Sequence, residues 1–126
     1  MRALLLAAIV TESLGCAGRT PHLAHKHVRF LPDATDMMIV SGPPETMGLL
    51  SGYVVLKRGT DMPEHTTGAK EELLVVLSGQ GEVLLGGLHV EIGASEAMYI
   101  PPHTPHAVHA SGSDDLRYVY VVSPTP

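Results

Sequence analysis

The chain has 126 residues, enough for one domain, and its 44% hydrophobic content suffices to bury a core while 13 Gly and 10 Pro punctuate it too often for long helices. A net charge of −5, with the 8 Lys and Arg scattered, excludes a nucleic-acid footprint, which needs clustered basic residues. The one cysteine, Cys16, excludes an internal disulfide and a multi-cysteine zinc site.

Residues 1–16, MRALLLAAIVTESLGC, run from a basic start at Arg2 through an apolar stretch to small residues before the cysteine, the build of a secretion signal. The stretch is too short to span a bilayer as a helix. Gly15 before Cys16 resembles a bacterial lipoprotein signal, in which that cysteine becomes the lipidated first residue of the mature chain. Ser13 and Leu14 depart from the usual pattern. The resemblance implies a place in the bacterial cell envelope or periplasm, with membrane contact only through a lipid anchor on Cys16. The alternative is an ordinary N-terminal element with a buried thiol in a cytoplasmic protein.

Residues 17–24 read as a linker, and residues 25–126 as the folded domain. His22, His25 and His27 form a cluster of a kind that can bind metal. The alternation of His25, His27 and Arg29 with Lys26, Val28 and Phe30 favours a first strand with one wet face. A short apolar piece at Met37 to Val40 follows, then a turn around Pro43-Pro44. Leu49 to Lys57 is a strand with β-branched and aromatic weight. A short extended stretch carrying His65 leads to an apolar strand, Leu73 to Leu77, and beyond a turn comes Glu82 to Leu85. Gly86-Gly87 marks a hairpin, since both central positions of a tight primed turn need positive φ. Leu88, Val90 and Ile92 alternate with His89 and Glu91, giving one buried face. Ala97 to Ile100 and Ala107 to Ala110 flank PPHTP, and RYVYVV from Arg117 closes the domain. About eight short strands separated by turn residues predict an all-β sandwich or barrel, with closure removing exposed edges.

Two stretches carry the chemistry. In Gly59 to Gly79 a histidine is followed by Glu71-Glu72, and Tyr99 to His109 supplies further imidazoles. A carboxylate and imidazoles on separate strands of one sheet could converge on a single small site, a ligand set that suits a divalent metal such as zinc, iron, manganese or nickel. Adjacent strand residues face opposite sides, so one glutamate of the pair points inward with Leu74 and Val76. A buried, unpaired carboxylate costs several kcal/mol, so an inward Glu72 needs a partner: a metal, or a hydrogen bond to His65 or His106 in a metal-free core. His89 and His109 read as surface residues. Tyr53, Met62, Met98 and Tyr99 are candidate pocket lining, though methionine also fills β cores without a ligand.

The spacing resembles the cupin superfamily. Its first motif is glycine, five residues, His-x-His, three or four residues, Glu, six residues, Gly. Here Gly59, His65, Thr67, Glu72 and Gly79 fall on those positions, with Thr67 in place of the second histidine. In the second motif Ser95 stands for the first glycine, Pro101-Pro102-His103 for Pro-x-Gly, His106 for the histidine and Ala110 for the asparagine. The resemblance covers about Leu49 to Val122. It implies a single-domain, jelly-roll-like double-stranded β-helix barrel, with His65, Glu72 and His106 as metal ligands and a homodimeric assembly. Thr67 leaves either an open three-ligand centre, a site completed by His103, or a barrel losing its metal. An outward His103 is the competing placement, because the family has glycine there. The resemblance further implies a metal-dependent enzyme of the dioxygenase, isomerase, lyase or decarboxylase kind acting on a small molecule. The other readings are a non-catalytic envelope protein that captures a small ligand or metal, and a structural dimer without metal.

Overall fold

A computed structural model describes residues 25–126. The signal, the linker, Cys16 and His22 lie outside those residues. Among the described residues there are nine strands and no helix: β1 Met37–Ser41, β2 Leu50–Leu56, β3 Asp61–His65, β4 Lys70–Ser78, β5 Gln80–Leu85, β6 Leu88–Gly93, β7 Ala97–Ile100, β8 His106–His109 and β9 Leu116–Pro124. They form two antiparallel sheets, one of five strands in the order β1-β2-β9-β4-β7 and one of four in the order β3-β8-β5-β6. The all-β expectation therefore holds, and the sheets face each other across one core.

Period-two alternation decides what enters that core. On β4, Glu72, Leu74 and Val76 are buried while Leu73 and Leu77 on the other face are 39% and 44% exposed. On β9 the inward set is Leu116, Tyr118 and Val122, with Tyr120 packed against them. Strand pairing stacks these residues in rows. Glu72 lies beside Val122 and Leu50, Leu74 beside Tyr120 and Gly52, and Val76 beside Tyr118 and Val54. From the facing sheet come the row His65, His106 and Leu85 and the row Met62, Val108 and Val83. Each fully buried Val, Leu or Ile contributes about 1.5–3 kcal/mol from removal of apolar surface.

The first strand expected at residues 25–30 is absent. This segment forms no ladder: Lys26 is exposed and pairs with Glu45 at 2.6 Å, while Val28 and Phe30 are half-buried. Phe30 stacks on Tyr53 with ring centroids 4.4 Å apart, and Arg117 donates to the Pro32 carbonyl at 3.0 Å and to the Tyr53 hydroxyl at 2.8 Å. Further along, the Val55 amide donates to Asp36 at 2.8 Å. The alternation in HKHVRF corresponds only to partial cover of Val28 and Phe30, which a segment without strand pairing produces as readily as a strand.

Turn glycines appear where the hairpin signals placed them. Gly86 and Gly87 both have positive φ, at 52° and 90°. Gly79 is more tightly constrained. It sits at φ 84°, and a Cβ there would overlap the Asp115 carbonyl oxygen and approach Leu116 Cα to 3.0 Å. Both obstacles are backbone and cannot rotate away. The left-handed conformation alone costs an L-residue about 1–2 kcal/mol. Gly79→Ala should therefore lower the stability of the domain by more than about 2 kcal/mol, seen as a reduced urea midpoint at unchanged slope. A midpoint equal to wild type would show that the β4–β5 turn can be rebuilt.

Candidate metal centre

His65 ends β3, Glu72 is the third residue of β4, and His106 opens β8. The first and last pair directly across the four-stranded sheet, while Glu72 faces them from the other sheet. One ligand atom from each lies within 4.8 Å of the other two, the geometry of a single-ion site. Among the described residues this is the one group of three or more His, Cys, Asp or Glu side chains brought so close. The two imidazoles are tilted by 60° with centroids 4.3 Å apart. His106 and Glu72 are buried and His65 reaches the exposed rim, so the group spans from core to mouth.

Backbone carbonyls fix how both histidines present themselves. His65 Nδ1 lies 2.8 Å from the Pro63 carbonyl, and His106 Nδ1 lies 2.9 Å from the Thr104 carbonyl. A carbonyl only accepts, so in each ring Nδ1 carries the proton and donates it. Nε2 is then left as the lone-pair nitrogen in both neutral rings, the tautomer a metal ligand needs. His106 Nε2 sits 3.1 Å from Glu72 Oε2, yet neither atom has a hydrogen-bond partner of acceptable geometry. Two buried acceptors facing each other repel unless a proton or a cation lies between them. The donor set of two imidazole nitrogens and one carboxylate oxygen fits a divalent transition metal. Without a metal, a proton takes that role, and contact with Glu72 raises the His106 pKa above its ordinary value despite the opposing effect of burial.

Above the three ligands lies a cavity of about 290 Å³. Its polar lining is His65, Thr67, Glu72, His106, Tyr118 and Tyr120. Its apolar walls are Leu50, Val54, Met62, Leu74, Val108 and Val122. Burial and the negative charge of Glu72 push both phenol pKa values up, most strongly for Tyr118.

The remaining sequence candidates fall in different places. Thr67 lines the cavity, and its hydroxyl donates to the Lys70 carbonyl at 2.9 Å, closing the β3–β4 turn. His103 is exposed, with φ 57°, and its amide donates to the Gly68 carbonyl at 2.6 Å, outside the three-ligand group. Met62 lines the cavity, whereas Met98 packs against the core behind it. Tyr99 is 54% exposed and donates to Glu71 at 3.0 Å, so this outward pair leaves Glu72 as the inward glutamate. Tyr53 is in phase with Ser51 and Val55 and is buried under Phe30 on the outer face, outside the cavity. His89 and His109 lie on the outer face of the four-stranded sheet, bonded to Glu82 and Asp61 at 2.8 and 2.6 Å. Sequence reasoning missed Leu50, Val54, Val108, Tyr118, Tyr120 and Val122 as lining. The signal was the phase of β9, where Arg117 marks the outward register and so turns both tyrosines inward with Leu116 and Val122.

Comparison with known proteins agrees with this architecture. The cupin domain family matches residues 52–122, more than half of the chain, and the chain belongs to that family. No curated protein matches it significantly. Among solved structures, an RmlC-like cupin family protein with a double-stranded β-helix fold from Methanocaldococcus jannaschii superposes with TM-score 0.68 at 22% identity, over 82% of this chain and 94% of that one. KdgF from a Halomonas species gives TM-score 0.61 at 23% identity, over 72% and 78%. The Schizosaccharomyces pombe Cnp3 cupin domain gives 0.66 at 14%, over 71% of this chain. The chain spans 64% of that domain, less than two thirds of its length. At these identities the likeness shows the fold alone.

Ser95 and His103 occupy two positions where the family has glycine, and both are left-handed, at φ 67° and 57°. Replacing His103 by glycine should relieve about 1 kcal/mol of backbone strain, offset in part by the entropy of a freer unfolded chain. His103→Gly is thus expected to be neutral or slightly stabilising in urea unfolding and to leave metal affinity unchanged. A tenfold or larger drop in affinity for Co(II) or Ni(II) would make His103 a ligand after all.

Proposed function

We propose that the chain is a metal-dependent cupin acting on a small molecule, with His65, Glu72 and His106 as its ligands. The observation that carries the reading is the pair of buried, unpartnered acceptors, Glu72 Oε2 and His106 Nε2, 3.1 Å apart. When bound, a divalent ion in a two-histidine, one-carboxylate set supplies a Lewis acid with coordination positions open to exogenous ligands. Thr67 contributes to that openness, because a neutral hydroxyl engaged with the Lys70 carbonyl replaces the imidazole that the family motif carries there. The chain's own residues do the rest. Thr104 and Pro63 hold the imidazoles in the ligating tautomer, the apolar walls exclude bulk water, and Tyr118 and Tyr120 present hydroxyls to whatever occupies the cavity.

Metal binding has a defined pH dependence under this reading. The folded-state pKa of His106 is raised, so in the metal-free protein its protonated pairing with Glu72 stabilises the fold fully below the ordinary imidazole value. That contribution is lost as pH rises through the raised value. Metal must displace the same proton, so affinity for Co(II) or Ni(II) should climb with pH over this interval and level off above it. Calorimetry in buffers of different ionisation enthalpy should show a proton released on binding at the low end. His106→Ala and Glu72→Gln should each weaken binding by 10-fold or more on the scale of lost metal ligands. Retention of wild-type affinity by both variants would defeat the metal-centred reading.

The proposal extends to a homodimer. Leu73 and Leu77 on β4 and Tyr99 on β7 leave apolar surface on the outer face of the five-stranded sheet, at 39%, 44% and 54% exposure. Sedimentation velocity should give a dimer for the wild-type chain and a monomer for Leu73→Lys. A monomeric wild type at micromolar concentration would remove this part of the proposal.

A further inference from the structure

Basic residues that are scattered along the chain are gathered by the fold. Of the six Lys and Arg side chains among the described residues, Lys57, Arg58 and Arg117 line one depression of about 660 Å³. Ser78, Gly79, Ser113, Asp114 and Asp115 complete its lining, so no apolar side chain enters it. It lies at the end of the barrel away from the metal centre. Ser78 pairs with Arg117 as Glu72 pairs with Val122, and six residues of β4 separate Ser78 from Glu72, about 20 Å along the strand.

Three connections build the depression, and they are fixed to one another. The Gly59 amide, between β2 and β3, donates to the Ala110 carbonyl at 2.9 Å, and the Gly112 amide, between β8 and β9, donates to the Gln80 carbonyl at 3.2 Å. Gly79, between β4 and β5, packs so closely on the Asp115 carbonyl that a Cβ has no room.

Within this frame the cations are not equally neutralised. Asp115 accepts from the Arg58 amide at 2.9 Å and from the Lys57 ammonium at 3.0 Å, contacts that hold its carboxyl below the usual range. Lys57 thus has its counter-ion. Arg58 and Arg117 have none, since among the described residues no carboxylate oxygen lies within 4.0 Å of either guanidinium. Arg58 donates to the Ser113 carbonyl at 3.3 Å, and half-buried Arg117 to the Tyr53 hydroxyl and the Pro32 carbonyl, all neutral acceptors. Asp33 and Asp36 border Arg117 in a separate depression, where Asp36 is engaged by the Val55 amide at 2.8 Å. In the first depression Asp114 is the one carboxylate without a cation, so the two guanidiniums exceed it by one positive charge. That excess stands out in a chain of net charge −5. Guanidinium groups present planar pairs of N–H donors matched to oxyanions. Two of them, with the hydroxyls of Ser78 and Ser113, suit the three terminal oxygens of a phosphate better than the two of a carboxylate.

We propose that this depression binds a single phosphate group, as the free ion or on a small ester, between Arg58 and Arg117. The site is separate from the metal centre and does not depend on it.

Nuclear magnetic resonance of the 15N-labelled full chain, with chloride replaced stepwise by phosphate at constant ionic strength, tests this. Inorganic phosphate should shift the amide signals of Arg58, Gly79 and Ser113 saturably and leave those of His65 and His106 in place. Arg58→Gln, at an exposed side chain, should keep the wild-type urea midpoint and weaken binding by about tenfold or more, the scale of a lost charge-assisted hydrogen bond. Asp114→Asn should tighten binding about twofold by removing an exposed like charge. Glycerol 3-phosphate binding at least as tightly as the free ion supports the site with an ester as its ligand, and weaker binding of the ester supports it with inorganic phosphate. Equal shifts in chloride alone, or unchanged phosphate affinity in Arg58→Gln, overturn the inference. So do shifts centred on His65 and His106, which place phosphate in the other cavity.

Discussion

The structure turns on a confrontation between two sheets. Glu72 comes inward from β4, an inner strand of the five-stranded sheet, and meets His106 from the four-stranded one at 3.1 Å, with both side chains almost wholly removed from water. A carboxylate in that setting is costly unless something positive answers it. The histidine cannot answer it as a neutral ring, because its one proton is already committed to the Thr104 carbonyl on the far side. The pair therefore needs a second proton or a cation. The fold supplies the third ligand, His65, beside His106 on the adjacent strand. Around the pair stand the Val, Leu and Ile side chains of the core and the cavity that His65 also lines.

Much of this was legible in the chain. Period-two alternation through Glu72, Leu74 and Val76 fixes the inward face of β4, and with it which glutamate enters the core. Glycines with spacing suited to tight turns delimit the strands, and all the strand regions expected after residue 36 are present. The spacing from Gly59 to Gly79 and from Ser95 to Ala110 carried the fold family. Failures arose where alternation has more than one cause. HKHVRF alternates, yet only Val28 and Phe30 are half-buried, Phe30 on Tyr53, and the segment has no hydrogen-bonded partner strand. Tyr53 is as buried as Leu74, Val108 and Tyr118 of the cavity, at 3% exposure, yet its cover comes from outside, through Phe30 and Arg117. Burial and cavity lining are different properties, and composition distinguishes neither.

Register resolves what composition cannot. Tyr53 pairs with Val119, and Tyr120 pairs with Gly52, one residue away on both strands. That single step separates a tyrosine of the outer face from one of the cavity. The distinction needs the pairing of β2 with β9, in which partners lie 60 or more residues apart along the chain, from Leu56 with Leu116 to Leu50 with Val122. Local sequence carries the phase of each strand alone. It becomes a statement about a site only when a charged residue, here Arg117, anchors one face to solvent.

The positions where the chain departs from its family's motifs have separate physical consequences. Ser95 and His103 hold left-handed backbone that glycine would adopt more cheaply, so they carry strain without entering the ligand group. Thr67 is different, because its hydroxyl closes the β3–β4 turn while its side chain still borders the cavity. Replacing an imidazole by a hydroxyl at that point removes a strong donor and a bulky ring together. The local turn is kept, the metal set is reduced to three, and volume is released beside it. Those three effects act in one direction: a metal held by His65, Glu72 and His106 would have room beside it for a second ligand, against a wall of apolar side chains and two phenols. The shape of the candidate metal site is thus set as much by the turn that Thr67 satisfies as by His65, Glu72 and His106 themselves.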